Sequence, residues 1–168
     1  MTETLSPALP ADVEAAVHQV LKAACDRDLK LVTAESCTGG MLASLLTDVD
    51  GAGRAFERGF VPYTDEAKHA QLDVPLPLIE QHTAVSAPVA EAMAAGALAR
   101  SSGDIALSIT GFAGRGAPDE EPGLVYLALA RRGGATRIEE AHFGDIGRGP
   151  VRIACLRKAL QMLRSELV

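Results

Sequence analysis

Short apolar runs alternate along this chain with stretches of helical periodicity, and that alternation restricts the fold more than any other feature. Leu31 to Ala34, Gly59 to Tyr63 and Asp104 to Ile109 read as strands. Before the first of them, Val13, Ala16, Val17, Val20, Leu21 and Ala24 fall on one helical face. After it, Met41, Leu42, Leu45 and Leu46 form a second face, with Thr38 as its predicted N-cap. Asp65 to Leu72 predicts a short helix, and Val74-Pro75-Leu76-Pro77 opens another. The Ala-rich segment from Val85 to Arg100 predicts a longer helix, capped by Ser86, with Val89, Met93 and Gly96 or Ala97 facing inward. Thr110 to Pro122 is a Gly/Pro-rich loop. Gly133-Gly134 then separates Gly123–Arg131 from Ala135–Phe143, the mark of a hairpin. A last helix carries Val151, Cys155, Leu156, Ala159, Leu160 and Leu163 on one side. Strands separated by helices, closing on a hairpin and a helix, predict a three-layer α/β/α domain with a mixed sheet. Residues 1–10 are expected to be a flexible tail, and residues 11–168 one domain.

With 4% aromatic residues and no Trp, the core has to rest on Leu, Val, Ile and Ala. The net charge of −6 argues against a nucleic-acid partner, since phosphate backbones are gripped by clustered Lys and Arg. A small phosphorylated ligand needs only a few local donors and stays compatible with that charge. Cys25, Cys37 and Cys155 are odd in number and lack metal-ligand spacing, so a reducing compartment and no metal site are expected. No secretory pattern opens the chain, and no apolar run approaches the roughly 18 residues of a membrane span. A cytoplasmic location without membrane association is the expectation, with a homodimer the base-rate assembly for such a protein.

Open α/β sheets place ligands beyond the C-terminal ends of their strands. Two such ends stand out: Glu35-Ser36-Cys37-Thr38-Gly39-Gly40, and Thr110-Gly111-Phe112-Ala113-Gly114-Arg115-Gly116. Amide N–H groups at a helix start would attract an anion or a developing oxyanion. An ordinary helix start whose glycines permit tight packing fits the first turn equally well. It lacks the Gly-x-Ser-x-Gly spacing of a nucleophile elbow and the Lys of a P-loop. From the residues alone it is an anion-friendly turn.

Ala34-Glu35-Ser36-Cys37-Thr38-Gly39-Gly40 resembles the signature of the CinA C-terminal domain family (competence/damage-inducible protein). Phe56 to Lys68, read as FERGFVPYTDEAK, joins it, as do Ala84-Val85-Ser86, Thr110-Gly111-Phe112-Ala113-Gly114, Phe143-Gly144-Asp145 and the closing Val151-Arg152 helix. The resemblance implies a nicotinamide-nucleotide amidase: hydrolysis of nicotinamide mononucleotide to nicotinate mononucleotide and ammonia, with no cofactor. It implies Ser36 as nucleophile, Lys68 and Tyr63 as its assistants, and Thr110 at the substrate. It also implies a stand-alone form, without the large N-terminal domain of longer family members. Cys37, Thr38, Gly39, Gly40 and Gly111 are then expected to line the substrate, and Arg148 and Arg152 to be the candidate phosphate partners.

The chemistry is coherent. A serine hydroxyl is a weak nucleophile until a base takes its proton. No His of the chain sits in a motif that suits that task. A lysine has a reference pKa of about 10.4, and bringing it near 7.5 requires roughly 4 kcal/mol of desolvation or positive neighbourhood. Three differences set the chain apart from the family pattern. Asp65 stands where Asn is usual, close in sequence to Lys68 and Tyr63. Arg115 and Glu121 alter the charge of the loop after Thr110. Ile146-Gly147 separate Gly144-Asp145 from Arg148. Two further readings therefore stay open: a non-catalytic nucleotide-binding module, and an amidase for a different small amide.

Overall fold

The computed structural model describes residues 9–168. Within them lie five strands: β1 (Leu31–Glu35), β2 (Phe56–Phe60), β3 (Ile105–Gly111), β4 (Leu124–Arg131) and β5 (Arg137–His142). They form one sheet in the order β2-β1-β3-β4-β5. β1 runs parallel to both β2 and β3, while β3–β4 and β4–β5 are antiparallel. Six helices surround the sheet: α1 (Ala11–Asp26), α2 (Met41–Thr47), α3 (Asp65–Leu72), α4 (Leu76–His82), α5 (Ala87–Ala99) and α6 (Arg148–Leu167). Most of the predicted tail lies outside the described residues; Pro10 is already the N-cap of α1.

The period-2 alternation of the strands sorts the helices. Leu31, Ile105, Leu107, Ile109, Leu127 and Leu129 face one core, shared with α1, α2 and α6. Val32, Ala34, Ala106, Ala128 and Ala130 face the other, shared with α3, α4 and α5. The second face is built from small side chains, so the Ala-rich α5 lies close to the sheet. Ser108 Oγ then reaches across to the Ala90 carbonyl at 2.6 Å. The three-layer α/β/α architecture with a mixed sheet is thus the observed one. Among the described residues, no helix is long and apolar enough to cross a membrane.

Several local expectations are corrected. β2 spans Phe56–Phe60 rather than Gly59 to Tyr63. As an edge strand it is only half covered and carries no continuous apolar run, and the chain leaves the sheet at Val61-Pro62, where proline has no N–H to donate. Thr38 does not cap α2. The cap position is Gly40, in the left-handed region at φ 89°, and the Thr38 hydroxyl is buried without a partner. Ser86 does occupy the N-cap of α5, yet its hydroxyl donates back to the Thr83 carbonyl at 2.9 Å instead of receiving from the helix.

Strand order reverses at β1. The chain leaves β1 for β2 on one side and later returns to β3 on the other. A crevice opens above the C-terminal ends of two parallel strands at such a reversal, because the connections diverge. Residues 36–40 leave from that point, and the segment after Gly111 borders it.

Candidate active site

Ser36 follows the last residue of β1. Its own N–H donates to the Ile109 carbonyl at 2.9 Å, which extends the β1–β3 ladder by one rung and holds the residue against β3. The turn then tightens on itself, with Gly39 N–H to the Ser36 carbonyl at 3.0 Å and Met41 N–H to the Thr38 carbonyl at 3.2 Å. Gly39 and Gly40 have φ of 60° and 89°, a region L side chains rarely adopt, so two successive glycines are what the turn requires.

α3 brings Lys68 to this turn from the opposite helical layer. Thr64 caps α3 by accepting from the Ala67 N–H at 3.1 Å, which fixes the first turn and the direction in which Lys68 leaves it. Lys68 is 2% exposed and Ser36 7%. The Lys68 Nζ lies 3.5 Å from Ser36 Oγ and 3.2 Å from the Tyr63 carbonyl. Among the described residues, no carboxylate forms a salt bridge with the amine. Burial pushes its pKa below the ordinary 10.5, with the carboxylate of Asp65 and then Cys37 opposing the shift. Desolvation is the larger effect on Lys68, and the Asp65 charge works against it.

Tyr63 contributes its main chain. Its carbonyl accepts from Lys68, whereas its phenol is 63% exposed. Thr110 is buried at the end of β3, and its hydroxyl donates to the Ala84 carbonyl at 2.8 Å, tying β3 to the segment that leads into α5. Beside it, a Cβ at Gly111 would collide with Val125 and the Leu124 carbonyl, so only glycine fits between β3 and β4.

The two arginines differ. Arg152 Nη2 donates to the Thr38 carbonyl at 2.6 Å, and the same nitrogen would lie 3.3 Å from a Cβ on Gly39. Its buried Nε has no partner. Arg148, one turn earlier on the same face of α6, is exposed and borders Gly114, at 3.7 Å from the place of a Cβ there. Arg115 is drawn off by Asp145, with Nε to Oδ2 at 2.7 Å.

Cys37 and Cys155 are both buried thiols. Their mutual hydrogen bond lowers the Cys37 pKa, against burial and the Glu35 carboxylate. The same bond and burial raise that of Cys155. Cys37 is therefore the more acidic of the two, and it neighbours Ser36 in sequence.

Glu35 received no role from the sequence. Its side chain is fully buried and accepts from the Leu42 N–H at 3.0 Å and the Ala43 N–H at 2.8 Å, in the first turn of α2. It caps the helix that Thr38 was expected to cap. The missing hydroxyl or carboxamide at Gly40 is the one sequence signal that another group had to supply acceptors there. The expectation of free helix-start amides narrows accordingly: among the described residues, the amides of Cys37, Thr38 and Gly40 are those left without an internal acceptor.

These features define an α/β domain with a serine hydroxyl and a buried amine meeting at the reversal of strand order. The chain belongs to the CinA C-terminal domain family, whose model matches residues 13–167. It is similar to the competence/damage inducible protein CihA from Agrobacterium tumefaciens, with a TM-score of 0.90, 40% identity, and coverage of 94% of this chain and 96% of that one. A competence damage-inducible protein A (ComA) from Klebsiella pneumoniae gives a TM-score of 0.87 at 32% identity, covering 92% and 96%. A CinA-like protein of Akkermansia muciniphila is 51% identical over 115 residues, which are 67% of this chain and 28% of that protein. A putative competence-damage inducible protein of Caldicellulosiruptor bescii is 41% identical over 145 residues, or 85% and 35%. The chain thus spans about a third of the length of such curated relatives.

Proposed function

We propose that this domain hydrolyses the carboxamide of nicotinamide mononucleotide, giving nicotinate mononucleotide and ammonia. The observation that carries the reading is the Ser36–Lys68 pair: a nearly buried hydroxyl 3.5 Å from a nearly buried amine that has a lowered pKa and, among the described residues, no salt-bridged carboxylate. A neutral amine of this kind can take the serine proton. Ser36 Oγ attacks the carboxamide carbon, and the proton passes to Lys68 Nζ. The oxyanion that forms is received by the free amides of the Cys37–Gly40 turn. Lys68 then returns its proton to the carboxamide nitrogen, the C–N bond breaks, and ammonia leaves an acyl-Ser36 ester. A water molecule, deprotonated by the same amine, cleaves the ester and frees the carboxylate.

The phosphate reading rests on charge. Arg148 and Arg152 have no carboxylate partner among the described residues; Arg54, Arg132 and Arg164 have none either, but their guanidinium groups bond to the Cys25 carbonyl, the Gly103 carbonyl and the Gln19 side chain, away from this turn. In an acidic chain, two guanidinium groups on one face of α6, one at the Ser36 turn and one beside Gly114, suit an anionic ligand. The test is incubation with nicotinamide mononucleotide while ammonia and nicotinate mononucleotide are quantified. Equimolar appearance of both supports the proposal. Tight binding without product would replace it by the nucleotide-binding reading, and turnover only of other small amides would replace the substrate.

A further inference from the structure

We propose that Glu35 is a positioning residue for Ser36, holding the nucleophile's turn in its working shape through α2. The inference rests on the reading of Ser36 as nucleophile. Six residues separate the end of β1 from the N2 position of α2, and a loop of that length without a cap would sample many shapes. Here the carboxylate closes it into a ring: the backbone runs outward through Ser36 to Met41, and the side chain of Glu35 returns directly to the Leu42 and Ala43 amides. The ring is anchored to β3 by Ser36 N–H and to α6 by the Thr38 carbonyl.

This arrangement has a chemical consequence. A carboxylate held by two backbone N–H groups occupies the first turn of α2 and removes those amides from competition for an anion. What remains for an oxyanion is the set belonging to the turn itself, at Cys37, Thr38 and Gly40. The charges acting most on Lys68 are those of Asp65 and Cys37, while Glu35 is bonded to the α2 amides, so the role proposed for Glu35 is one of geometry. A misplacement of about 1 Å at a reacting group can cost on the order of a hundredfold in rate.

Glu35→Gln keeps the shape but offers one acceptor oxygen for two amides and sets an NH2 against the other. Ala43→Pro keeps the carboxylate in the sequence and deletes one donor, but it sets a ring CH2 against the Glu35 oxygen and restricts Leu42, so it counts only if circular dichroism and melting show a native fold. Both are assayed well below their melting temperatures, per folded molecule. The expected result is a kcat for nicotinamide mononucleotide lowered about tenfold to a hundredfold. KM and the position of the pH–rate limb should stay unchanged. Acylation of Ser36 by p-nitrophenyl acetate, read by mass spectrometry, should slow by the same factor. A kcat equal to wild type in both folded variants overturns the proposal, and so does a joint loss of kcat and KM that follows the loss of stability. Wild type that acylates at Ser36 but releases no ammonia from the nucleotide removes the substrate reading, and Glu35 is then judged on the acylation rates. A Ser36 inert to both reagents overturns both ideas.

Discussion

The Lys68 amine has a hydroxyl and a carbonyl as its hydrogen-bond partners. Burial lowers its pKa below 10.5, so over a range of pH the unfolded chain still binds a proton that the folded chain has released. Stability therefore rises with pH from the folded-state pKa up to about 10.5, and at lower pH the buried charge is a cost. Lys68→Met removes that cost. The variant should lose turnover yet be more stable than wild type at neutral pH, on the order of the 1–4 kcal/mol found when apolar groups replace buried ion pairs. Calorimetric melts from pH 6 to 10 check this, and a less stable variant would show that the amine is better solvated than its burial implies. In the proposed mechanism the same pKa governs catalysis: the rate should climb with pH as Lys68 becomes neutral, and Lys68→Arg should stay inactive because a guanidinium keeps its proton. The Asp65 carboxylate raises the Lys68 pKa, so Asp65→Asn should move the rising limb of the pH–rate profile to lower pH. An unmoved limb would mean that the Asp65 charge does not reach the amine.

Between elements, what could be foreseen depended on whether a residue's partner was near in sequence. Helical faces and the hairpin around Gly133-Gly134 follow from local periodicity and turn chemistry, and they are where they were expected. β2 was misplaced because its position is set by pairing with β1, a long-range fact that a half-exposed edge strand does not advertise. The α2 cap was misassigned for a related reason: Glu35 reaches across seven residues, outside the usual window for a cap. Ser36 and Lys68 are 32 positions apart, and only the motif resemblance, not spacing, suggested bringing them together. Gly96 offers a test at this scale. A Cβ there would collide with the Leu72 carbonyl at the end of α3, so α5 and α3 approach more closely than any side chain allows. In an exposed helix interior, Gly→Ala usually stabilises by about 0.5–1 kcal/mol. Gly96→Ala should instead destabilise by about 1–3 kcal/mol, the cost of overpacking, and should lower activity by shifting the helix that carries Lys68. Urea unfolding measures the sign, and a stabilised variant would show that the contact yields easily.

Over the whole molecule, the proposed substrate carries a phosphate, and an acidic chain of net charge −6 would have to hold it through a few local groups. Arg152 is engaged with the Thr38 carbonyl, while Arg148 is free on the rim beside Gly114. Arg148→Ala should therefore narrow the preference for nicotinamide mononucleotide over its riboside, by about 1.5–3 kcal/mol if the guanidinium makes one charge-assisted contact. Arg152→Ala should slow both substrates alike, because it loosens the turn. Equal turnover of mononucleotide and riboside by wild type would rule out a phosphate contact. The central claim concerns Ser36 itself, and its most direct test is the initial rate of ammonia release from nicotinamide mononucleotide by wild type, Ser36→Ala and Cys37→Ala side by side. The account predicts product from wild type, none from folded Ser36→Ala that still binds the nucleotide, and substantial turnover by Cys37→Ala. Wild-type-like turnover by Ser36→Ala, with loss confined to Cys37→Ala, would contradict it and move the nucleophile to the neighbouring thiol.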